Sequence, residues 1–462
     1  MSEILNTQLL VIGGGLAGFA AALSAAEAGI DVLLLEKTAA TGGSSAMSGG
    51  CLAFAGTDLQ QERGIADSSE LLYRDLVEVG KGECDEAIVR AYADNQLATY
   101  EWLKAHGVAF QPVIETASGQ SVPRVHNVDP ADMVRQLELA ALNTGKVEVL
   151  RNTRARRLLR SAGGRVIGAS AERDGQPQDG LPLEVRAARG VILACGGFVH
   201  DREMIHRFAP LYDNAVFIGG EGNEGDGLRM AWALGADLRD MVHIKGTFGK
   251  HPMDENNHHA CLAVYKGAIA VNQEGRRYVD ESLSYKLLGD ACMQQSYGVT
   301  YQILDRDIME SGDDRVRILD FERRLEEGLF VEADSLEQLA KLLELPVDDF
   351  LAEVAAYNAA VSAGEAPEFG RRHLVHQHGA LRTIARPPFY AYPSTAAVFG
   401  TYCGVKVDAQ MRVHDVFGEP IDGLLAAGEM VGGLHGAAYM TGSALGKAAI
   451  FGRLAAATAC HG

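Results

Sequence analysis

Three glycines near the start of the chain have a spacing that suits a nucleotide pyrophosphate. Gly13, Gly15 and Gly18 form the pattern G-x-G-x-x-G, and an acidic residue, Glu36, stands further along the chain. In such a pattern the first glycine permits a tight turn, the second lets the backbone approach phosphates, and the third lets a helix pack closely on a strand. A carboxylate at Glu36 would accept hydrogen bonds from ribose hydroxyls. These residues predict a dinucleotide site.

The surrounding sequence supplies the elements that such a site needs. Leu9–Ile12 and Val32–Leu35 are short apolar runs, which predict buried strands. Between them, apolar residues at helical spacing start at Leu16 and end at Gly29, a predicted helix C-terminus. The order of strand, glycines, helix, strand and acid favours dinucleotide binding. A plain βαβ unit with a glycine turn is the alternative.

Further segments of the same kind occur far apart in the chain, at 42–50, 190–198, 223–227 and 422–429. Most of them are glycine-rich, and the last is an apolar run that ends in an acid. Backbone amides in glycine turns can approach phosphates because no Cβ intervenes. The cofactor site is therefore expected to be assembled from distant parts of the chain.

The middle of the chain, residues 241–380, lacks these features. It carries amphipathic helical patterns instead, at 335–345 and 347–361. We therefore predict an α/β protein in which residues 1–240 and 381–462 form one cofactor domain and the middle segment is an inserted capping domain.

Composition and charge argue against several classes of protein. The chain has 462 residues, of which 22% are charged and 47% hydrophobic, as in soluble globular enzymes. Its net charge of −19 argues against nucleic acid and anionic membrane surfaces as partners. The seven cysteines form no C-x-x-C motif, which argues against structural zinc, iron–sulfur clusters and attached haem. We expect a cytoplasmic protein with no metal site and no membrane span.

Taken together, the motifs resemble those of one family nearly end to end. Gly42–Gly50, Gly190–Phe198, Asn223–Gly227 and Asp422–Glu429 resemble motifs of the FAD-binding flavoproteins of the fumarate reductase and succinate dehydrogenase superfamily, which includes the 3-ketosteroid dehydrogenases. The resemblance implies a Rossmann-like FAD-binding domain of the glutathione-reductase type with an inserted α+β capping domain. It also implies non-covalent FAD, because the histidine that attaches flavin in this superfamily has no counterpart in the first of these segments.

The resemblance further implies which residues contact FAD. They lie in the first glycine turn, around the acid, in the second glycine segment and in the later segments: Gly13, Gly15, Leu16, Ala17, Gly18, Glu36, Lys37, Gly42, Gly43, Ser44, Ser45, Ser48, Gly49, Gly50, Ala155, Ala194, Cys195, Gly196, Asn223, Asp226, Gly428, Glu429, Ser443 and Leu445. A final helix starting near Ser443 would direct its positive end at the flavin, where its dipole favours the negative charge of the reduced form. A plain N-cap is the alternative role for Ser443.

Two tyrosines stand where reductases of this superfamily would have arginines. Tyr285 follows the segment Gly275–Glu281, and Tyr439 follows His435-Gly436-Ala437. The exchange resembles the 3-ketosteroid dehydrogenase branch, in which one tyrosine removes a proton beside a ketone. A second tyrosine, with a backbone amide four residues later, holds the ketone oxygen. Carried over by position, Tyr285 is the base, and Tyr439 with the Ser443 amide holds the carbonyl.

Other residues are candidates for the substrate side. A tyrosine with an ordinary pKa of about 10 is a poor base at neutral pH, and Lys286 or a second tyrosine is expected to lower the pKa of Tyr285. Arg124 and His126 are candidates to meet a substrate carboxylate, with local stabilisation of a loop as the alternative. His251 resembles a substrate-side histidine of the reductases, with a polar residue of the cap as the alternative. Phe248 and Tyr402 are candidate apolar walls of the substrate pocket.

The expected activity is that of an FAD-dependent oxidoreductase acting on CH–CH bonds, which desaturates a cyclic ketone beside its carbonyl. The residues after Tyr439 depart from the Tyr-Pro-Gly-x-Gly of the ketosteroid enzymes, and their other tyrosine has no match near residue 110. A smaller ketone such as a 4-oxocyclohexanecarboxylate is therefore as plausible as a steroid. Two alternatives stay open: a fumarate- or urocanate-like C=C reductase, and a flavoprotein subunit that passes electrons to a partner. The expected partners are the small-molecule ketone and an unidentified electron acceptor.

Overall fold

The computed structural model describes residues 3–173, 183–253, 260–375 and 378–461. The strands, numbered along the chain, are β1 Ile4–Thr7, β2 Leu9–Ile12, β3 Val32–Leu35, β4 Cys51–Ala53, β5 Phe110–Glu115, β6 Val125–Val128, β7 Val147–Leu150, β8 Thr153–Arg160, β9 Val166–Arg173, β10 Leu183–Ala187, β11 Val191–Leu193, β12 Val216–Phe217, β13 Leu238–Arg239, β14 Lys245–Lys250, β15 Ile269–Val271, β16 Thr300–Asp305, β17 Val331–Ala333, β18 Phe389–Gly400, β19 Gly404–Val405, β20 Arg412–His414 and β21 Pro420–Ala426.

The α-helices are α1 Leu16–Glu27, α2 Gly43–Met47, α3 Asp58–Gln61, α4 Ser69–Val79, α5 Glu86–Ala105, α6 Pro130–Asn143, α7 Arg202–Phe208, α8 Asp226–Trp232, α9 Tyr285–Met293, α10 Arg306–Met309, α11 Phe321–Glu326, α12 Leu336–Leu342, α13 Val347–Ala363 and α14 Ser443–His461. Short 3-10 helices lie at Pro210–Tyr212, Ala263–Lys266, Ser296–Gly298, Glu368–Gly370 and Gly428–Met430.

A six-stranded sheet carries the first glycine turn. Its strand order is β20-β21-β11-β2-β3-β7, and the neighbouring pairs are parallel except for β20 with β21. All residues of β2 and β3 are buried. Strands of a parallel sheet are covered on both faces, which explains why both read as uninterrupted apolar runs. The α/β class and the predicted βαβ unit, β2–α1–β3, are confirmed.

The last helix packs directly on the first. A Cβ added at Gly452 of α14 would lie 2.4 Å from the Ala17 carbonyl oxygen and 3.0 Å from the Ala20 Cβ of α1. Glycine at this position therefore permits a close approach of the two helices. The contact brings the C-terminal segment of the chain beside the N-terminal glycine turn.

A second hydrophobic core is formed by buried residues between Phe248 and Tyr392. Its sheet has the order β12-β18-β16-β15, and β14 and β17 also pair with β18. Helices α12 and α13 cover the two amphipathic patterns of the middle segment. Strand β18 thus belongs to this second sheet, although the sequence interpretation assigned its residues to the returning cofactor segment.

Three smaller sheets lie beside the two large ones, and one of them is the antiparallel pair of β13 and β19. Strands β1, β10, β9 and β8 form another, and β4, β6 and β5 form the third. Strand β4 follows the second glycine segment, and the amide of its last residue, Ala53, donates to the Gly442 carbonyl oxygen over 3.1 Å. This bond ties the second glycine segment to the start of α14.

Candidate active site

The first glycine turn leaves no room for side chains. Gly13 has a φ of +113°, and a Cβ there would lie 2.3 Å from the Ala194 carbonyl oxygen. A Cβ at Gly18 would lie 1.9 Å from the Gly13 carbonyl oxygen. The Glu36 carboxylate accepts the Gly14 amide hydrogen over 2.8 Å, so the acid is fixed against the turn. Turn, helix and acid therefore have the arrangement that the spacing predicts.

A cavity of about 660 Å³ runs along this turn. It is lined by twenty of the residues predicted for the cofactor: Gly13, Gly15, Leu16, Ala17, Glu36, Lys37, Gly42, Gly43, Ser44, Ser45, Ser48, Gly49, Ala155, Ala194, Cys195, Gly196, Asn223, Asp226, Glu429 and Leu445. The structure thus brings together segments from both ends of the chain, as the discontinuous motifs indicate.

Four predicted residues lie behind this lining rather than in it. Gly18 contacts the Gly13 carbonyl, as expected for a packing glycine. A Cβ at Gly50 would lie 2.1 Å from the Val128 carbonyl oxygen, and one at Gly428 would lie 2.7 Å from the Ala17 Cβ. These glycines allow close packing behind the cavity wall. Ser443, the fourth, is described below.

The polar groups of the cavity fit FAD. Gly15, the N-cap residue of helix α1, makes no side-chain cap; the Leu16 amide donates to the Ser45 hydroxyl over 3.3 Å, and the other amides of the first turn suit a pyrophosphate. The Asn223 side-chain oxygen is buried and has no hydrogen-bond partner among the described residues. Its amide nitrogen donates to Glu429 over 3.1 Å. Unpaired buried polar atoms are uncommon in proteins, and a polar ligand in the cavity would satisfy this one.

A cluster of aromatic rings closes one part of the cavity. Tyr285 is the first residue of α9, where the Ser284 side chain caps the helix. The centroid of its ring lies 5.3 Å from that of Tyr439. The ring of Tyr402 stacks on Tyr439 at 5.1 Å, with 13° between the ring planes. His435 lies at the edge of this stack, 5.2 Å from each of the two rings.

Hydrogen bonds in the cluster converge on one oxygen. The hydroxyl groups of Tyr285 and Tyr402 lie within hydrogen-bonding reach of the Tyr439 hydroxyl, and the backbone amides of Ala444 and Gly442 also approach it. Burial raises the pKa of all three tyrosines. For Tyr439 the hydrogen bonds from Tyr285 and the two amides oppose that rise, because they stabilise the charged form. Tyr439 is therefore the member of the cluster best surrounded to bear a negative charge.

Tyr402 reaches this position through an unusual backbone conformation. Its φ is +55°, in the left-handed region, which a bulky residue rarely adopts. The preceding residue, Thr401, donates its amide hydrogen to Glu429 over 2.6 Å. The end of β18 is thereby fixed to the acid of the cofactor cavity, and the next side chain turns onto Tyr439.

Ser443 does not have the role expected for its amide. Its N–H donates to the Met440 carbonyl oxygen over 3.2 Å, and its hydroxyl donates to the same oxygen over 2.7 Å. The residue is fully buried and does not line the cavity. Gly442 and Ala444 line it instead. An amide already used in a turn is not available to hold a substrate carbonyl, so the expectation for Ser443 is corrected.

Comparison with known proteins adds the family. The family model described as FAD binding domain matches residues 8–445. The chain belongs to this family. It is an FAD-dependent oxidoreductase, and the cofactor predicted from the sequence is confirmed.

Relatives of this flavoprotein include both reductases and a dehydrogenase. The urocanate reductase of Eggerthella lenta is 30% identical, over 98% of this chain and 74% of its own. A flavocytochrome c3 fumarate reductase in its open conformation has a TM-score of 0.79 at 28% identity, over 99% of this chain and 78% of its own. The 3-ketosteroid-Δ4-(5α)-dehydrogenase of Rhodococcus jostii RHA1, solved with 4-androstene-3,17-dione, has a TM-score of 0.81 at 26% identity, over 99% and 97%. The flavoprotein is thus a flavin-dependent oxidoreductase of carbon–carbon bonds in the fumarate reductase and succinate dehydrogenase superfamily.

Several candidates from the sequence lie away from the cavity of the flavoprotein. Lys286 pairs with Asp290, and its side chain does not line the cavity, so it does not tune Tyr285. Arg124 is fully buried and pairs with Asp67 and Asp75.

Of the remaining candidates, three have structural surroundings away from the cavity and one lines it. His126 hydrogen-bonds Thr57 over 2.8 Å, so this residue and Arg124 have the structural role that was the alternative for both. Phe248 is buried in the second core, and His251 packs edge-on against Tyr392 at 5.4 Å. Neither of them lines the cavity. Tyr402, the other predicted wall, does line it.

Besides Arg154, which pairs with Glu224 and Asp226, three cationic residues that line the cavity carried no sequence signal of their own. Lys250 is buried at the end of β14, Arg317 lies at the exposed rim, and Lys447 is buried in α14. Lys447 is the last residue of the segment Gly442–Lys447, which predicts the start of the final helix but gives the lysine no role of its own. Arg317 and Lys250 lie in the middle segment, outside the motif singled out there, Gly275–Glu281.

The described residues contain neither a helix suited to a membrane nor a group of side chains suited to a metal ion. None of their helices is both long and apolar enough to cross a membrane. No three or more of their His, Cys, Asp or Glu side chains are grouped so that they could hold a metal ion.

Proposed function

We propose that this flavoprotein desaturates a cyclic ketone between the carbons α and β to its carbonyl. The observation that carries the proposal is the tyrosine cluster, in which hydroxyl and amide donors converge on the Tyr439 oxygen. Loss of a proton beside a ketone requires a base and donors that stabilise the developing oxyanion. The cluster offers both, and it contains two tyrosines where the resemblance implies arginines in the reductases of the superfamily.

The hydrogen bonds favour a reversal of the roles expected from the sequence. Tyr439, which the two other hydroxyls and two backbone amides surround, is proposed to take the α-proton, and Tyr285 and Tyr402 are proposed to stabilise its charge. After proton transfer the same two hydroxyls are available to the enolate oxygen. FAD, when bound, accepts the hydride from the β-carbon, so that proton and hydride together leave an α,β-unsaturated ketone.

The cations of the cavity favour a small ring that carries a carboxylate. Arg317 and Lys250 line the same cavity as the tyrosines. Partial desolvation at the rim lowers the pKa of Arg317, and the neighbouring Arg324 and Arg323 lower it further. An anionic substrate group near Arg317 would relieve this repulsion. We therefore propose a 4-oxocyclohexanecarboxylate-type substrate ahead of a neutral steroid.

Reduction of an activated C=C bond is the second candidate. Burial, together with the neighbouring tyrosines, raises the pKa of Tyr285 and of Tyr402 well above its ordinary value. Both hydroxyls are then protonated at neutral pH and suited to donate a proton to carbon. A urocanate reductase and a fumarate reductase are among the relatives. The same fold would then run the reaction in the opposite direction.

Anaerobic spectroscopy of the yellow holoenzyme distinguishes the two candidates. 4-Oxocyclohexanecarboxylate, cyclohexanone and a saturated 3-ketosteroid are added in turn, and bleaching of the flavin absorption is followed. Rapid bleaching by the ketocarboxylate supports the proposal. Reoxidation of the dithionite-reduced enzyme by fumarate or urocanate, with no bleaching by any ketone, supports the second candidate. Failure of both reactions would point to a subunit that only passes electrons to a partner.

A further inference from the structure

A buried lysine lies in the wall of the FAD cavity, on the helix that starts beside Tyr439. Lys447 is in the second turn of α14 and is 1% exposed. It lines the cavity together with Leu445 and Ala448. Its ammonium group donates a hydrogen bond to the Val431 carbonyl oxygen. A buried cation is unfavourable unless charge or hydrogen bonds compensate it, so its presence calls for a partner.

The described residues give Lys447 no direct ion pair. The nearest acids are Glu429 and Asp240, whose charges favour the protonated lysine. Glu429 accepts hydrogen bonds from Thr401 and Asn223, and Asp240 accepts the Gly433 amide hydrogen over 2.7 Å. Burial lowers the pKa of Lys447 to about 8, against the opposing effects of these acids and of Cys403. The ammonium is thus desolvated beside a cofactor cavity and only partly compensated.

We propose that Lys447 is a positioning residue that acts on bound FAD through its charge, adding to the N-terminal dipole of α14 and favouring the reduced, anionic form of the cofactor. The inference rests on membership in the FAD-binding family and not on the identity of the ketone, so it can fail or hold independently of the proposed function. A charge in a water-excluded site acts over several ångströms, because neither solvent nor salt screens it effectively. The alternative is that Lys447 only anchors the Val431 carbonyl to α14.

Sulfite affinity gives a readout that does not depend on turnover. Sulfite adds to oxidised flavin and leaves a negative charge on the ring system, so its binding reports a nearby positive charge through loss of the yellow absorption. We expect Lys447→Met to retain FAD and to bind sulfite at least about tenfold more weakly. Its two-electron reduction potential should fall by about 30 mV for each tenfold decrease in the relative affinity for the reduced form.

Lys286→Met is the matched control, because it removes another buried lysine from a helix while leaving the cavity wall intact. It should leave sulfite affinity and potential unchanged. Unchanged values in Lys447→Met, with only a lower melting temperature or weaker FAD binding, would overturn the inference and support the anchoring role.

A second variant and a wild-type measurement cover the case in which Lys447→Met fails to fold. Lys447→Gln keeps a hydrogen-bond donor without the charge and should show the same tenfold loss. If neither variant holds FAD, sulfite affinity of the wild type, expressed per sulfite dianion, is measured as the pH rises through about 8. A fall in affinity through this range supports the inference, and a flat profile overturns it.

Discussion

Replacement of Tyr285 by phenylalanine tests which tyrosine takes the proton. In the proposed arrangement the Tyr285 hydroxyl donates to Tyr439, so its removal leaves the Tyr439 oxyanion with one donor fewer. A hydrogen bond to a charged group contributes about 1.5–3 kcal/mol, and one pKa unit corresponds to about 1.4 kcal/mol. The pKa of Tyr439 should therefore rise by about 1–2 units. Below that pKa, ketone-dependent kcat/KM should fall by about 10–100-fold, because less of the base is deprotonated.

The assay is the pH dependence of anaerobic flavin bleaching by the ketone, from about pH 6 to 10. In Tyr285→Phe activity should still rise with pH but lie about 10–100-fold below the wild type throughout this range, because burial keeps the pKa of Tyr439 above its ordinary value of about 10 in both proteins. Tyr439→Phe should instead lose about 10²–10⁴-fold at every pH, because it removes the base. Tyr357→Phe, which removes a buried hydroxyl from the second core, controls for loss of a tyrosine oxygen as such. Loss of the rise with pH in Tyr285→Phe, beside a near-normal Tyr439→Phe, would refute the assignment and restore Tyr285 as the base.

Three other predictions concern stability and cofactor retention. Gly18→Ala would place a Cβ 1.9 Å from the Gly13 carbonyl oxygen. A thermal melt and an FAD titration should show that it destabilises the protein by about 1–3 kcal/mol or more and releases FAD. Gly163→Ala is the control and should be near neutral in both measurements, because the nearest atom to its added Cβ lies at 3.8 Å. Glu281→Gln leaves Arg277 and Arg371 buried without their common carboxylate, and urea unfolding should show a loss of about 3–5 kcal/mol. The exposed pair Glu337–Lys341 is the comparison, where Glu337→Gln should cost less than about 1 kcal/mol. Burial lowers the pKa of His126 from 6.5 to about 4. Between these two values the unfolded chain binds a proton that the folded protein does not, so the free energy of unfolding should fall as the pH drops through that interval. The same pH dependence in His126→Gln would show that His126 is not its source.

The nucleotide-binding half could be predicted because its requirements are local. Gly13 and Gly18 are needed where backbone approaches backbone, and no other residue type would fit. The buried parallel strands β2 and β3 could also be predicted, because strands covered on both faces are uninterrupted apolar runs. These constraints act within a short stretch of chain, so spacing alone reveals them.

The substrate side could be predicted only in part because it depends on how distant loops meet. Tyr285 and Tyr439 were found from their positions relative to motifs, and the structure brings them together. The third ring, that of Tyr402, reaches the cluster because its backbone has a left-handed conformation, which the neighbouring residues do not predict. The Ser443 amide is occupied by a local turn with Met440, and Arg124 is neutralised by Asp67 and Asp75 from earlier in the chain. Such pairings are decided by tertiary contacts, which neither composition nor periodicity contains.

Strand β18 also sets a practical limit on recombining this protein with its relatives. The strand pairs with β12, β14, β16 and β17, and directly after its last residue Thr401 binds Glu429 and Tyr402 stacks on Tyr439. A chimaera in which the cap is exchanged up to residue 381 would combine the sheet of one protein with strand β18 of the other. A graft that extends through Tyr402 would keep sheet and cavity wall as one exchangeable unit. The natural module for engineering new substrate preference therefore crosses the boundary that the nucleotide-binding motifs suggest.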